Sequence, residues 1–121
     1  MATAIEAVSR GGRYIAEGNG PVDFDCSGLT AYAWRAAGVR LVDYSYTQWH
    51  QTARITRAEL LPGDLVFWFG GDVHHVAIVI AVDGEKVTIA EAANPTDGVR
   101  IRNLGGSWDE AYLSGFGRVR A

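Results

Sequence analysis

The stretch Val22–Gly38, "VDFDCSGLTAYAWRAAG", holds the single cysteine of the chain. Leu29, Tyr32, Ala33, Ala36 and Ala37 recur at helical spacing, and Gly38 is a good residue to end on, so the spacing predicts a helix of about three turns that begins at Cys26. Asp25 stands where a capping carboxylate would stand. A lone cysteine is commonly a small buried hydrophobe. At the first turn of a helix, however, unpaired N–H groups and the positive end of the macrodipole favour an anion, and a thiolate is one.

Working outward, "EGNGPVDFD" before the helix is turn chemistry throughout and delivers the chain to Cys26 by a tight, irregular path. Before it, "TAIEAVSRGG" reads as a short amphipathic helix with Thr3 as its cap, Ala4, Ile5 and Val8 on its apolar side and Gly11-Gly12 as its stop. After the cysteine helix comes a polar connector. "LLPGDLVFWFGG" then turns at Pro62-Gly63 into a hydrophobic run, and "HHVAIVIAVDGEKVTIAEAA" reads as a hairpin around Asp83-Gly84. "GVRIRNL" and "GFGRVR" supply further short strands. Helices first and an antiparallel meander after them predict one α+β domain over residues 1–121, a half-open antiparallel sheet with the helices gathered on one side.

Composition narrows the function. Only 21% of residues are charged against 48% hydrophobic, which excludes a disordered chain. The net charge of −3, with eleven scattered Lys and Arg, leaves no basic footprint for nucleic acid or an anionic membrane. The longest apolar stretch, "VAIVIAV" at Val76 to Val82, is strand-sized, so no membrane span is expected. The start lacks the features of a signal peptide, which fits a domain cut from a longer protein. One cysteine forms no internal disulfide and no Cys-rich metal site, and His74-His75 diverge, so neither metal nor cofactor is expected.

A thiol needs a base. His50, in "TQWHQT", lies in the polar connector and reads as a solvated surface residue. His74 and His75 open the apolar strand and point to opposite faces, so one alone can serve. The His75 side continues with Ala77, Val79 and Ala81 and starts small, leaving room for another element to approach; spacing alone leaves a structural role for His75 equally open. For the second nitrogen of His75 two partners lie on the next strand. A three-residue loop, Asp83-Gly84-Glu85, pairs Val82 with Lys86 and puts Glu91 on the His75 face; a two-residue turn at Asp83-Gly84 puts Asn94 there.

Taken in order, Tyr14, Gly20-Pro21, "FDCSGL", "AYAWRAAGV", Ser45, Gln48, "LLPGDLVFW" and "HVAIVI" resemble the NlpC-type cell-wall cysteine peptidases over nearly the whole chain. The resemblance implies a papain-like fold and a cysteine endopeptidase acting on peptidoglycan stem peptides, at the bond between γ-D-glutamyl and a diamino acid. It makes Cys26 the nucleophile, His75 the general base and Tyr14 a support for the tetrahedral intermediate, with Asp25 and Ser27 at substrate-contacting positions. The family's third position is polar and follows the apolar residues of its strand, as Glu91 does in "TIAEAA", which favours Glu91 over Asn94. The chain departs from the family in "YIAEG", where Ala16 and Glu17 replace an aromatic residue and a glycine and bring a charge toward the substrate, and in Asp43-Tyr44, where Arg-Thr is usual. The implied partner is peptidoglycan or its muropeptides, met by a monomer at the cell wall as part of a secreted hydrolase, a phage lysin or a phage tail protein. The same residues leave open a catalytically silent cell-wall binding module, or an acyltransferase or amidase on the same scaffold.

Overall fold

The computed structural model describes residues 1–70 and 73–120. In chain order its elements are α1 (Ala2–Ser9), β1 (Arg13–Tyr14), β2 (Asp23–Phe24), α2 (Cys26–Ala36), α3 (Ser45–Gln51), β3 (Thr52–Ile55), a 3-10 turn (Arg57–Glu59), β4 (Leu65–Trp68), β5 (His75–Asp83), β6 (Lys86–Asn94), β7 (Gly98–Asn103), α4 (Ser107–Tyr112) and β8 (Leu113–Val119). The strands from β3 onward form one antiparallel sheet in the order β3-β8-β4-β5-β6-β7. The expected order, helices first and then a meander, holds for β4 to β7, but α4 interrupts the strands and β8 returns to lie between β3 and β4.

Period-two alternation sorts the strand residues into two cores. Leu65, Phe67, Val76, Ile78, Ala90 and Ala92 face Ala4 and Ala7 of α1 and Leu29, Ala31 and Ala33 of α2. Val66, Trp68, Ala77, Val79, Val87 and Ile89 face the other way and are closed over by Leu60, Leu104 and Phe116. In α1 the buried pair is Ala4 and Ala7; Ile5 is exposed. The helix is capped at Met1 with no side-chain bond, so Thr3 lies inside it and is not the cap.

The stretch read as a polar connector holds α3 and β3, which corrects that reading. Its anchors are polar: Ser45, Gln48 and Thr52 are buried. Gln48 Nε2 donates to the carbonyls of Ser27 (3.0 Å) and Val42 (2.9 Å), and its Oε1 accepts from the Thr30 hydroxyl at 2.6 Å, which ties α3 to α2. His50 is on α3, edge-on to Tyr46 with ring centroids 4.8 Å apart, and is exposed as expected.

The hairpin combines parts of both expected forms. Its turn has two residues, but they are Gly84-Glu85, closed by Asp83 opposite Lys86. A bulge between Val79 and Ala81 then shifts the ladder by one, so Val79 faces Ile89 and Ile78 faces Ala90. Beyond the bulge the register is the one a three-residue loop would have produced.

Candidate active site

Cys26 is the first residue of α2, and three local features set it there. Asp25 Oδ1 accepts from the Gly28 N–H at 2.6 Å, an N-cap that satisfies one of the helix's free donors. Asp25 N donates to the Gly18 carbonyl at 2.9 Å, locking the preceding loop under the helix start. Gly28 is required by that closeness, since a Cβ there would lie 1.8 Å from the Gly18 oxygen. The same loop carries β1 and β2, paired in parallel with Tyr14 opposite Phe24, which brings Tyr14 to the cysteine.

Cys26, Tyr14 and His75 line one cleft of about 530 Å³, together with Glu91, Arg100, Arg102, Trp108 and the ring of Phe69. A larger hollow of about 890 Å³, between the 3-10 turn, the β5–β6 turn and α4, includes neither the thiol nor the imidazole. Asp25, Ser27 and Glu17 are not on the cleft wall. The Asp25 side chain is the helix cap, Ser27 is buried and donates to Asp43 at 2.9 Å, and Glu17 is exposed on a loop with φ +66°. Asp43, which stands where the resemblance expects arginine, thus supports the helix start.

His75 is 8% exposed at the start of β5. Its Nε2 lies 2.9 Å from Glu91 Oε2, so Nδ1 is the ring nitrogen that this carboxylate does not hold. The indole of Trp68, its partner across the β4–β5 ladder, packs on the imidazole with centroids 4.8 Å apart. His74 is exposed and stacks on Phe69 at 4.2 Å. Asn94, the rival for His75, spends its side chain in its own turn: its amide donates to Asp97 at 3.0 Å and its carbonyl accepts from Thr96 and Asp97 N–H.

Glu91 is 1% exposed, a burial that alone would favour the neutral acid; bonds from His75 and Arg102 reverse this and hold the carboxyl down at about 2. Arg102 Nε and Arg100 Nε both reach Glu91 Oε1, at 2.6 and 2.9 Å. Arg102 in turn grips Asp109 with two nitrogens, at 2.7 and 2.9 Å. These arginines and Asp109 were not singled out in the sequence. The available signal was Arg100 and Arg102 two apart in "GVRIRN", hence on one strand face, beside a strand carrying one buried-side carboxylate.

The thiol behaves differently from the sequence expectation. Burial first, and then the Asp25 carboxylate, push Cys26 up to about 11, although the N–H of Val76 on β5 and those of Ser27 and Cys26 at the helix start pull it down. Desolvation outweighs the helix field. Burial first, and then the neighbouring Cys26 and Asp25, also raise Tyr14, so its phenol keeps its proton. Among the described residues no group of three His, Cys, Asp or Glu is placed to hold a metal ion, and no helix is long and apolar enough to cross a membrane.

An α+β domain with a thiol at a helix start and a carboxylate-held imidazole on the facing strand is the arrangement of a papain-like domain. Residues 11–118 match the model of the NlpC/P60 family, and the chain belongs to that family. It is 40% identical over 110 residues to the Listeria monocytogenes protein named "Probable endopeptidase p60", covering 90% of this chain and 22% of that protein. It is 35% identical over 66 residues to the peptidoglycan endopeptidase RipA of Mycobacterium tuberculosis, covering 54% of this chain and 14% of that one. The crystal structure of an NlpC/P60 family protein from Bacillus cereus superposes with a TM-score of 0.80 at 26% identity, over 97% of this chain and 39% of that one. The chain thus spans about a fifth of the length of the p60 relatives it matches.

Proposed function

We propose that this domain is a cysteine endopeptidase of peptidoglycan stem peptides. The observation that carries the reading is the cleft in which the Cys26 thiol, the Tyr14 phenol and an imidazole with one nitrogen already held by a carboxylate share the same wall. The relatives' names, an endopeptidase and a peptidoglycan endopeptidase, support the substrate class, and the bond between γ-D-glutamyl and a diamino acid is the one the family resemblance implies.

Because burial keeps the resting thiol protonated, His75 must take its proton through Nδ1 as Sγ attacks the carbonyl carbon. Glu91 fixes the imidazole and stabilises the imidazolium that forms. The oxyanion is held by backbone N–H at the start of α2 and by the Tyr14 phenol, which its raised pKa keeps as a donor. The imidazolium then protonates the departing amine as the C–N bond breaks. Water, deprotonated by His75, cleaves the thioester, and the thiol recovers its proton. In this reading Asp25 and Ser27 serve the substrate indirectly, by setting the helix start.

The test is incubation with muropeptides and mass spectrometry of the new termini, with Cys26→Ala as control. New γ-D-glutamyl carboxylates and free diamino acid amines, absent in the variant, are expected. Binding without new termini would instead establish the silent-module reading, and products joined to an added amine would establish an acyltransferase.

A further inference from the structure

Glu91 sets a buried carboxylate, 1% exposed, 2.9 Å from the imidazole it orients, so its charge acts directly on that ring. The opposing charge comes from β7. Arg100 contributes, but it is 40% exposed and shared with Asp97 at 3.6 Å. Arg102 is 21% exposed, makes the shorter bond to Glu91 Oε1, and uses its two remaining nitrogens on both oxygens of Asp109.

Asp109 is 3% exposed and fully used: besides Arg102 it accepts from the Gly105 N–H at 2.7 Å and from Trp68 Nε1 at 3.0 Å. Trp68 is the residue whose ring packs against His75, tilted by 46° with centroids 4.8 Å apart. The imidazole is therefore held at its edge by Glu91 and flanked by the Trp68 indole, and both lines of contact converge on Asp109. Other charged or titratable groups around His75 among the described residues are Cys26 from α2 with Asp25 at its cap, Tyr14 from β1, His74 on β5 itself, Asp97 from the turn between β6 and β7, and Arg100 from β7. None of these touches both lines.

We propose that Arg102 and Asp109 are a positioning pair for His75, fixing the imidazole plane through Glu91 and Trp68 and setting how much of the Glu91 charge the imidazole feels. The proposal rests on the Cys26–His75 reading above. The planar guanidinium is essential to it, because one Arg102 bridges two carboxylates with directed bonds, which a lysine ammonium does not do. Removing the cation and removing its counter-ion should then act on His75 in opposite directions.

The experiment is an NMR titration of the His75 ring in the resting protein, which needs no substrate, beside stem-peptide kinetics and thermal unfolding. In Arg102→Leu the His75 midpoint should rise by about one pH unit, since only the more exposed Arg100 then offsets the Glu91 charge. In Asp109→Asn, Arg102 is left to Glu91 alone and the midpoint should fall. In Arg102→Lys the midpoint should stay near that of the parent while kcat drops about tenfold with KM little changed, the loss expected of misaligned reacting groups. If Arg102→Leu does not fold, the other two variants carry the test. A midpoint unmoved in folded Asp109→Asn, or moved in the same direction by both charge changes, overturns the proposal, as does Arg102→Lys with undiminished kcat. Opposite shifts in a protein that cleaves no stem peptide would leave the charge-setting role standing and sink the endopeptidase reading instead.

Discussion

Replacing Glu91 by Gln keeps the shape of the side chain and removes its charge, so it measures what the charge contributes. The carboxyl is held at about 2 against an ordinary 4.5. At about 1.4 kcal/mol per pH unit, that difference stabilises the fold by about 3 kcal/mol at neutral pH. The sign follows from the direction: a depressed carboxyl binds its proton less well folded than unfolded. Its stabilisation is complete above the unfolded value, declines as pH falls below it, and is gone once pH has passed through about 2. Glu91→Gln should therefore be about 3 kcal/mol less stable than the parent at pH 7, and the gap should close progressively between about pH 5 and pH 2. Urea unfolding at several pH values reads the gap directly, and taking the difference cancels the other carboxylates. Glu91→Ala should cost more, since Arg100 and Arg102 then face a void. On stem peptides Glu91→Ala should lose at least about tenfold in turnover, the scale of about 1.4 kcal/mol in barrier, whereas Asn94→Ala, whose side chain serves only its own turn, should be nearly silent. A stability gap that is absent at pH 7 or constant with pH would refute the charge reasoning; full turnover in Glu91→Ala would refute the orienting role.

In His75→Ala, alkylation of Cys26 by iodoacetamide should climb tenfold per pH unit from pH 7 to beyond pH 9, levelling only near the thiol's value of about 11. The parent should react faster at neutral pH by whatever His75 contributes; identical profiles would remove His75 as the base. Glu17 occupies the left-handed region at φ +66° with its side chain off the cleft, so Glu17→Gly should stabilise by about 1 kcal/mol and leave turnover unchanged. A changed pH optimum would show that the carboxylate acts on the site after all. Gly28→Ala, by forcing a Cβ onto the Gly18 carbonyl, should lower stability by about 2 kcal/mol or more in thermal unfolding.

The thiol's placement could be read from the sequence because its causes are local: a capping aspartate, a glycine three residues on, and apolar residues at helical spacing. The sheet could be read for the same reason, since β4, β5 and β6 alternate or run apolar. What escaped was held by polar burial. Helix α3 is anchored through Ser45 and Gln48, and β3 begins at buried Thr52, so hydropathy shows only a polar stretch. Helix α4 carries one buried residue, Asp109, with Trp108 and Tyr112 exposed, which inverts the usual pattern. Asp109 is buried because Arg102 and Trp68 meet it, and Trp68 lies 41 residues away in sequence. No local signal encodes a partner at that distance. The thiol's ionisation escaped for a related reason, because the helix field is a local feature and desolvation is a property of the whole packed site.

The His75–Glu91 register shows how two deviations can cancel. A two-residue turn at Gly84-Glu85, run down a regular ladder from Asp83 opposite Lys86, would set His75 opposite Asn94 and send the neighbouring Glu91 to the other face. The extra residue at the bulge takes up one position, so Val79 meets Ile89 and the ladder continues toward Glu91 with the right parity. Ile80 and Ala81 then lie on one face. Deleting Ile80 should leave Val79 followed directly by Ala81, still opposite Thr88, in a ladder with no bulge and an unchanged turn. The half-buried Ile80 packs on the helix-side core, so the deletion should cost about 1 kcal/mol and leave His75 against Glu91, with stem-peptide cleavage largely retained. Deleting Ala77 shortens the strand equally but below the bulge, and should carry His75 to the opposite face and abolish cleavage. Equal loss of activity in the two deletions, with both proteins folded, would show that the bulge does not set the register on which the site depends.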